Sequence, residues 1–162
     1  MARAGSSQVA PRPTLRLDDY LPYRLSVASN EVSRLVASAY ERQFGVTIPQ
    51  WRITAIIAEH GAQTPQQICR RSVMDKVTVS RASHALVERG FLERTKNGAD
   101  GRSHLLTLTA AGLEFHAAIV PLALAFERAL LDRWSEAEID QLDQQLRRLQ
   151  RTAATLAEFG GS

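Results

Sequence analysis

The feature that most constrains this chain is a change of hydrophobic period near its middle. Apolar side chains recur at helical spacing up to Gly90, alternate as in strands between Phe91 and Thr109, and return to helical spacing from Ala110 onward. The pattern predicts a mainly α (α+β) fold with the order α-α-α-α-β-β-α-α. With 162 residues, the chain has room for one domain, or for one small unit fused to a dimerisation element.

Proline, glycine and capping residues divide the first half into four helices. Thr64 can cap the third helix, Pro65 suits its first position, and Gln67 completes a capping box. The predicted helices cover residues 18–44, 49–60, 65 to 71 or 72 and, after the break Ser72-Val73-Met74-Asp75, a segment that ends at Gly90.

Two predicted strands, residues 91–95 and 104–109, follow directly. The segment between them contains Asn97-Gly98 and Asp100-Gly101, dipeptides that tolerate positive φ in a hairpin. A short helix, a tight break, a second helix and a ribbon in this order make a winged helix-turn-helix.

The fourth helix has one apolar and one polar face. At about 100° per residue, Val79, Ala82 and Ser83 point the same way as Leu86. Arg can bond guanine O6 and N7, Ser and Thr can bond bases or phosphates, and a Val can meet a thymine methyl. The helix therefore resembles a recognition helix, and its outward residues are Val77, Ser80, Arg81, His84 and Glu88, with Lys76 and Thr78 beside them.

Positive charge is concentrated between residues 64 and 104. This segment contains eight Lys/Arg and four acids, so it carries +4, whereas the rest of the chain carries −1. Such a block is typical of a protein with a polyanionic partner. Taken alone, it is equally typical of a solvated surface.

Apolar stripes in the first and last helices indicate a homodimer, because such stripes require partner helices. Ser135 to Glu138 form a second capping box, behind an apolar segment (110–134) that contains Pro121. The stripes are Leu25, Ala28, Val32, Leu35 and Ala39, and then Ile139, Leu142, Leu146, Leu149, Ala153 and Leu156. We expect a disordered tail (1–14), a helical dimerisation region (15–46 and 110–159) and a winged helix-turn-helix DNA-binding region (47–109).

Four segments, in this order and spacing, resemble the MarR-type (multiple antibiotic resistance) transcriptional regulators: residues 75–81, 86–92, 100–103 and 108–112. The resemblance spans about residues 17–157. It implies a dimer, typically a repressor, on a pseudo-palindromic operator. It also implies that Arg102, on the wing, enters the minor groove and that Asp100 orients its guanidinium. The predicted DNA-binding residues are Thr64, Gln66, Lys76, Val77, Thr78, Ser80, Arg81, His84, Arg94, Lys96, Asp100 and Arg102.

The same resemblance implies a small-molecule effector. Family members often bind small aromatic acids, and an aromatic ring with Arg and His suits a carboxylate or a phosphate. Residues 21–26 are similar to regulators of aromatic-acid breakdown, some of which respond to hydroxycinnamoyl-CoA thioesters, so we expect an aromatic acid or its CoA thioester. A packing or capping role explains each candidate equally well. The candidates are Tyr23, Arg24, Asn30, Arg34, Trp51, Arg52 and His60.

Other functional classes have little support. The single Cys69 cannot form an internal disulfide, which favours the cytoplasm, and its place in the third helix favours a packing role over redox sensing. We expect no metal, cofactor or enzymatic activity, because metal-ligand spacing and catalytic motifs are missing. No uncharged apolar run reaches the roughly 18 residues of a membrane span. Two alternatives stay open: a winged helix used for protein contacts, and a regulator that senses oxidation through Cys69.

Overall fold

The computed structural model of the protein describes residues 14–98 and 103–159, and their helices and strands follow the predicted order. The predicted tail falls almost entirely on residues outside this description. A 3₁₀ helix (Leu17–Asp19) comes first. The other elements are α1 (Leu21–Phe44), α2 (Ile48–His60), α3 (Pro65–Ser72), α4 (Lys76–Glu88), β1 (Leu92–Lys96), β2 (His104–Leu108), α5 (Ala110–Leu131) and α6 (Glu136–Phe159).

The chain divides into two compact units, with the boundary between Ile48 and Pro49. The first unit contains α1, which begins three residues later than predicted because Tyr20 is extended. The helix ends at Gly45, whose φ of 60° lies in the left-handed region that glycine adopts without strain. Of the predicted stripe on α1, Ala39 is buried, whereas Val32 and Leu35 are exposed.

The core of the second unit connects α2, α3, α4 and both strands. It consists of Ile53, Ile57, Ile68, Val79, Ala82, Leu86, Leu92 and Leu106. The predicted inward face of α4 is confirmed, because Val79, Ala82, Ser83 and Leu86 are all buried. Burial of this face fixes the rotation of α4, so that its opposite face is exposed to solvent.

The two strands form an antiparallel hairpin that is anchored to the helices. Its register runs from Leu92 opposite Leu108 to Lys96 opposite His104. Gln63, between α2 and α3, adds one more pairing: its N–H donates to the Leu106 carbonyl at 3.1 Å, and the Leu106 N–H donates to the Gln63 carbonyl at 2.8 Å. This hairpin, the wing, is thus tied to the start of the helix-turn-helix.

Helices α5 and α6 are capped at their first turns but remain mostly exposed. In the predicted capping box, the Ser135 N–H donates to Glu138 Oε2 at 2.8 Å, and the Glu138 N–H donates to Ser135 Oγ at 3.3 Å. No side chain of α6 is buried between residues 136 and 157. Length and composition alone would allow α5 to cross a membrane, although Glu114 and Glu127 interrupt its apolar run.

Candidate nucleic-acid interface

A capping box and a strained turn shape the helix-turn-helix. Gln67 N–H donates to Thr64 Oγ1 at 3.2 Å, and Thr64 N–H donates to Gln67 Oε1 at 2.8 Å, which confirms the predicted capping box. Between α3 and α4, Val73 adopts a φ of 56°, where a β-branched side chain is strained. Because Val73 is 92% exposed, burial of its side chain does not offset that strain.

Asp75 fixes the start of α4. Its Oδ1 accepts the Thr78 N–H at 2.8 Å, and its Oδ2 accepts the Thr78 hydroxyl at 2.6 Å. The bond from the Thr78 side chain, followed by that from its backbone, lowers the pKa of Asp75 by stabilising the carboxylate. Because the Thr78 hydroxyl donates its proton to Asp75, its oxygen can accept a further hydrogen bond but has no second proton to donate.

The side of α4 that faces away from the core carries most of the predicted contact residues. Thr78 is half-buried at its edge. The imidazole Nδ1 of His84 lies 3.3 Å from Oε2 of Glu88, one helical turn further on. We call this exposed surface the reading face, and it consists of Lys76, Val77, Ser80, Arg81, His84 and Glu88.

Helix α3 and the wing carry the remaining DNA-binding candidates. Thr64 is half-buried and engaged in its cap, whereas Gln66, Arg94 and Lys96 are exposed. At the end of the wing, the Asn97 side-chain amide donates to Ser103 Oγ at 2.7 Å, and the Asn97 N–H donates to the Ser103 carbonyl at 3.3 Å. The predicted tip residues Asp100 and Arg102 lie outside the described part of the chain.

Phe91 joins the end of α4, the wing and the start of α5. Its N–H donates to the Leu86 carbonyl at 3.0 Å, and its carbonyl accepts the Thr109 N–H at 3.1 Å. Its ring stacks on Phe115 with centroids 4.2 Å apart, and the Arg89 guanidinium lies 4.8 Å from the Phe91 centroid. A Cβ at Gly112 would overlap the Phe91 carbonyl oxygen, so this close approach requires glycine.

Four of the predicted effector residues line two cavities in the first unit. Asn30 and Arg34 line a cavity of about 430 Å³, together with Ser33, Ala37 and Ile48. Tyr23 and Arg24 line a smaller one of about 270 Å³. The Arg34 guanidinium is hydrogen-bonded to the Glu31 carboxylate, so an anionic ligand would compete with Glu31 for it.

The other three effector candidates belong to α2, in the second unit. Trp51 stacks on His116 with ring centroids 5.4 Å apart, and burial lowers the pKa of His116. Arg52 is exposed, and His60 Nε2 lies 3.8 Å from the carboxylate of Glu59. Four of the seven candidates thus belong to the first unit and three to the second.

Sequence reasoning missed the roles of Asp75 and Gln63. An Asp directly before a helical pattern is a recognisable N-cap signal. The pairing of Gln63 with Leu106 has no local signal, because its partner is distant in the chain. Cys69 is half-buried and packs against the core. Within residues 14–98 and 103–159, no cluster of three or more His, Cys, Asp or Glu could hold a metal ion.

Comparison with known proteins identifies relatives of this fold. The sequence profile of the MarR family matches residues 46–104. The chain is 30% identical over 105 residues to the uncharacterized HTH-type transcriptional regulator YwoH of Bacillus subtilis. This match covers 63% of this chain and 76% of YwoH. It superimposes on the crystal structure of a MarR/EmrR family transcriptional regulator from Acinetobacter sp. ADP1 with a TM-score of 0.80 at 26% identity, covering 87% of this chain and 99% of that one.

A third relative shares the fold at lower identity. The structure of Bordetella bronchiseptica BpsR, whose DNA binding is regulated by 6-hydroxynicotinic acid, matches with a TM-score of 0.77 at 20% identity. The match covers 85% of this chain and 98% of BpsR.

Proposed function

Because this chain belongs to the MarR family of transcriptional regulators, which are non-enzymatic DNA-binding proteins, we propose that it represses transcription as a homodimer on a pseudo-palindromic operator until an effector releases it. The observation that carries this proposal is the reading face of α4. Its inner side is locked into the core, so Ser80, Arg81 and His84 stay exposed, and the wing residues Arg94 and Lys96 are exposed as well. A fixed helix with an exposed polar and basic face suits insertion into the major groove.

The proposed division of labour follows the predicted regions. Residues 47–109 would bind DNA through the residues predicted above, with Arg102 in the minor groove by resemblance. Residues 15–46 and 110–159 would form the dimer, which would cover the exposed apolar faces of α5 and α6. Two recognition helices related by a two-fold axis would then read half-sites about one helical turn apart.

The test is selection of duplexes from a randomised library by the purified protein, followed by affinity measurements on the selected sequence. Arg81→Ala should weaken binding by about 1–3 kcal/mol per half-site and relax the base preference. Arg102→Ala should reduce affinity mainly on A·T-rich flanks. Arg148→Ala, on the polar side of α6, removes the same charge and should bind like the wild type. Failure to enrich any sequence, or equal effects of Arg81→Ala and Arg148→Ala, would contradict the proposal.

For the effector, we propose an aromatic carboxylate or its CoA thioester in the cavity lined by Asn30, Ser33 and Arg34. A guanidinium, an amide and a hydroxyl that line the same open surface pocket suit a carboxylate, and about 430 Å³ leaves room for a small aromatic acid. Regulation of BpsR by 6-hydroxynicotinic acid, an aromatic carboxylic acid, supports this class of ligand. Since Arg34 is paired with Glu31, the ligand would displace one carboxylate by another.

Calorimetric titration of benzoate, salicylate, p-coumarate and their CoA thioesters, with and without the selected operator, tests this part. A tenfold loss of operator affinity requires about 1.4 kcal/mol of preference for the DNA-free state, and the operator must weaken the ligand equally. Arg34→Gln should reduce ligand affinity, whereas Arg24→Gln, in the smaller cavity, should not. A ligand that binds without changing operator affinity would rule out the effector role and leave DNA binding untouched.

A further inference from the structure

The pair formed by His84 and Glu88 occupies the reading face itself. The two side chains are 62% and 66% exposed, and Nδ1 of the imidazole lies 3.3 Å from Oε2 of the carboxylate. Burial of Val79, Ala82 and Leu86 prevents α4 from turning these residues inward. An unpaired carboxylate on a surface that binds DNA would be repelled by the phosphates. Its place on the reading face therefore suggests that Glu88 acts through the adjacent His84.

A carboxylate at Nδ1 determines which histidine tautomer faces outward. When Nδ1 carries a proton and donates it to Glu88, the Nε2 atom of a neutral ring becomes a hydrogen-bond acceptor. In the major groove an acceptor pairs with the amino group of adenine (N6) or of cytosine (N4). Arg81, one turn earlier on the same face, is by contrast a donor suited to guanine.

We propose that Glu88 is a positioning residue that fixes the tautomer of His84, so that Nε2 selects a base with an exocyclic amino group in each half-site. This inference rests on the proposed function, in which α4 reads the major groove. Besides His84 and Glu88, the reading face carries the ionisable side chains of Lys76 and Arg81. Glu88 itself touches no DNA in this arrangement.

Two simpler accounts make different predictions. If Glu88 only repels phosphates, removal of its charge raises affinity on every sequence and leaves base preference unchanged. If the pair is an ordinary exposed i,i+4 contact, neither preference nor affinity changes when it is broken. Only the proposal that Glu88 fixes the tautomer of His84 predicts that an uncharged hydrogen-bond acceptor at position 88 can preserve the base preference.

The experiment repeats the library selection with variants at about pH 8, above the range in which histidine ordinarily titrates. Wild type should show one symmetric pair of positions that prefers A or C. Glu88→Gln, whose amide oxygen can still accept the Nδ1 proton although its N–H can also donate to Nδ1, should keep part of this preference. Glu88→Ala and His84→Ala should each reduce discrimination there by about fivefold, and the double variant should be no worse than His84→Ala. Asp140→Ala, on the polar side of α6, is the matched control for the loss of an acid.

Each outcome decides between the accounts. Preference retained by Glu88→Ala, or lost equally in Glu88→Gln and Glu88→Ala, overturns the positioning role. A uniform rise in affinity without a change of preference assigns Glu88 to phosphate repulsion instead. A wild-type protein that selects no sequence removes the proposed function together with this inference, whereas a selected palindrome with an indifferent Glu88→Ala removes this inference alone.

Discussion

Helices α4 and α6 both carry an apolar stripe, but only one of the stripes is covered. The stripe of α4 is buried against the core formed by α2, α3 and the wing. On α6, Leu142, Leu146, Leu149 and Leu156 are 38–65% exposed. The comparison shows that hydrophobic periodicity identifies a helix and its apolar face, but not the element that packs against that face. The partner of α4 lies within the chain, and a second copy of the chain is the partner we propose for α6.

The largest effect should come from placing charge on the exposed stripe. Leu146→Asp with Leu149→Asp would bury two carboxylates in the proposed dimer interface, which is strongly unfavourable. We expect light scattering to give the mass of a single 17.9 kDa chain instead of a dimer. Operator affinity should fall by about a hundredfold or more, because each half-site is then bound separately.

The control for this variant is Gln141→Asp with Gln144→Asp, which adds the same charges on the polar side of the same helix. It should remain dimeric. If wild type already has the mass of one chain at micromolar concentration, a second copy of the chain does not cover the exposed stripe of α6. The stripe would then have another role.

Helix α5 combines both situations, because its first turn is locked, whereas most of its later side chains, apart from the buried Ile119, are exposed or half-buried. Gly112→Ala would force a Cβ against the Phe91 carbonyl oxygen and Leu108. Since backbone must shift, we expect a loss of about 2 kcal/mol or more in the free energy of unfolding, measured by urea denaturation. Gly98→Ala is the matched control, because nothing lies within 4 Å of its added Cβ. Equal urea midpoints for the two variants would mean that the backbone around Phe91 can move to accommodate the added Cβ at little energetic cost.

The accuracy of sequence reasoning follows the same division. Element order, the capping boxes at Thr64 and Ser135 and the inward face of α4 were predictable because each depends on a local pattern. The strained turn at Val73 and the pairing of Gln63 with Leu106 were not, since tertiary structure overrides local preference there. The reading face was predictable as a surface, whereas the 3.3 Å contact between His84 and Glu88 was established only by the structure. The roles of Asp100 and Arg102 depend on resemblance alone.

A smaller effect separates two exposed valines, one within the turn before α4 and one in the first turn of α4. Val73 is left-handed, so Val73→Gly relieves roughly 1–2 kcal/mol of strain but adds about 0.5–1 kcal/mol of backbone entropy cost. The net result should be a stabilisation of about 0.5–1 kcal/mol. Val77→Gly, inside α4, should instead destabilise by about 0.5 kcal/mol. Thermal unfolding of both variants gives the two signs, and a shift in the same direction would show that the turn is unstrained.

The smallest effect concerns the caps that begin α4 and α6, and it is lost in acid. Bonds from Thr78 lower the pKa of Asp75, and bonds from Ser135 lower the pKa of Glu138. A carboxylate whose pKa is lower in the folded than in the unfolded chain contributes stability above the unfolded value, near about pH 4. That contribution is lost as pH falls through the folded pKa.

Asp75→Asn keeps a capping oxygen but cannot titrate, so the stability advantage of wild type over this variant should be present at about pH 7 and shrink towards about pH 3. Glu138→Gln should show the same trend in α6. Urea midpoints at the two pH values measure both differences, and a difference that does not depend on pH would show that the charge of the cap contributes nothing in either helix.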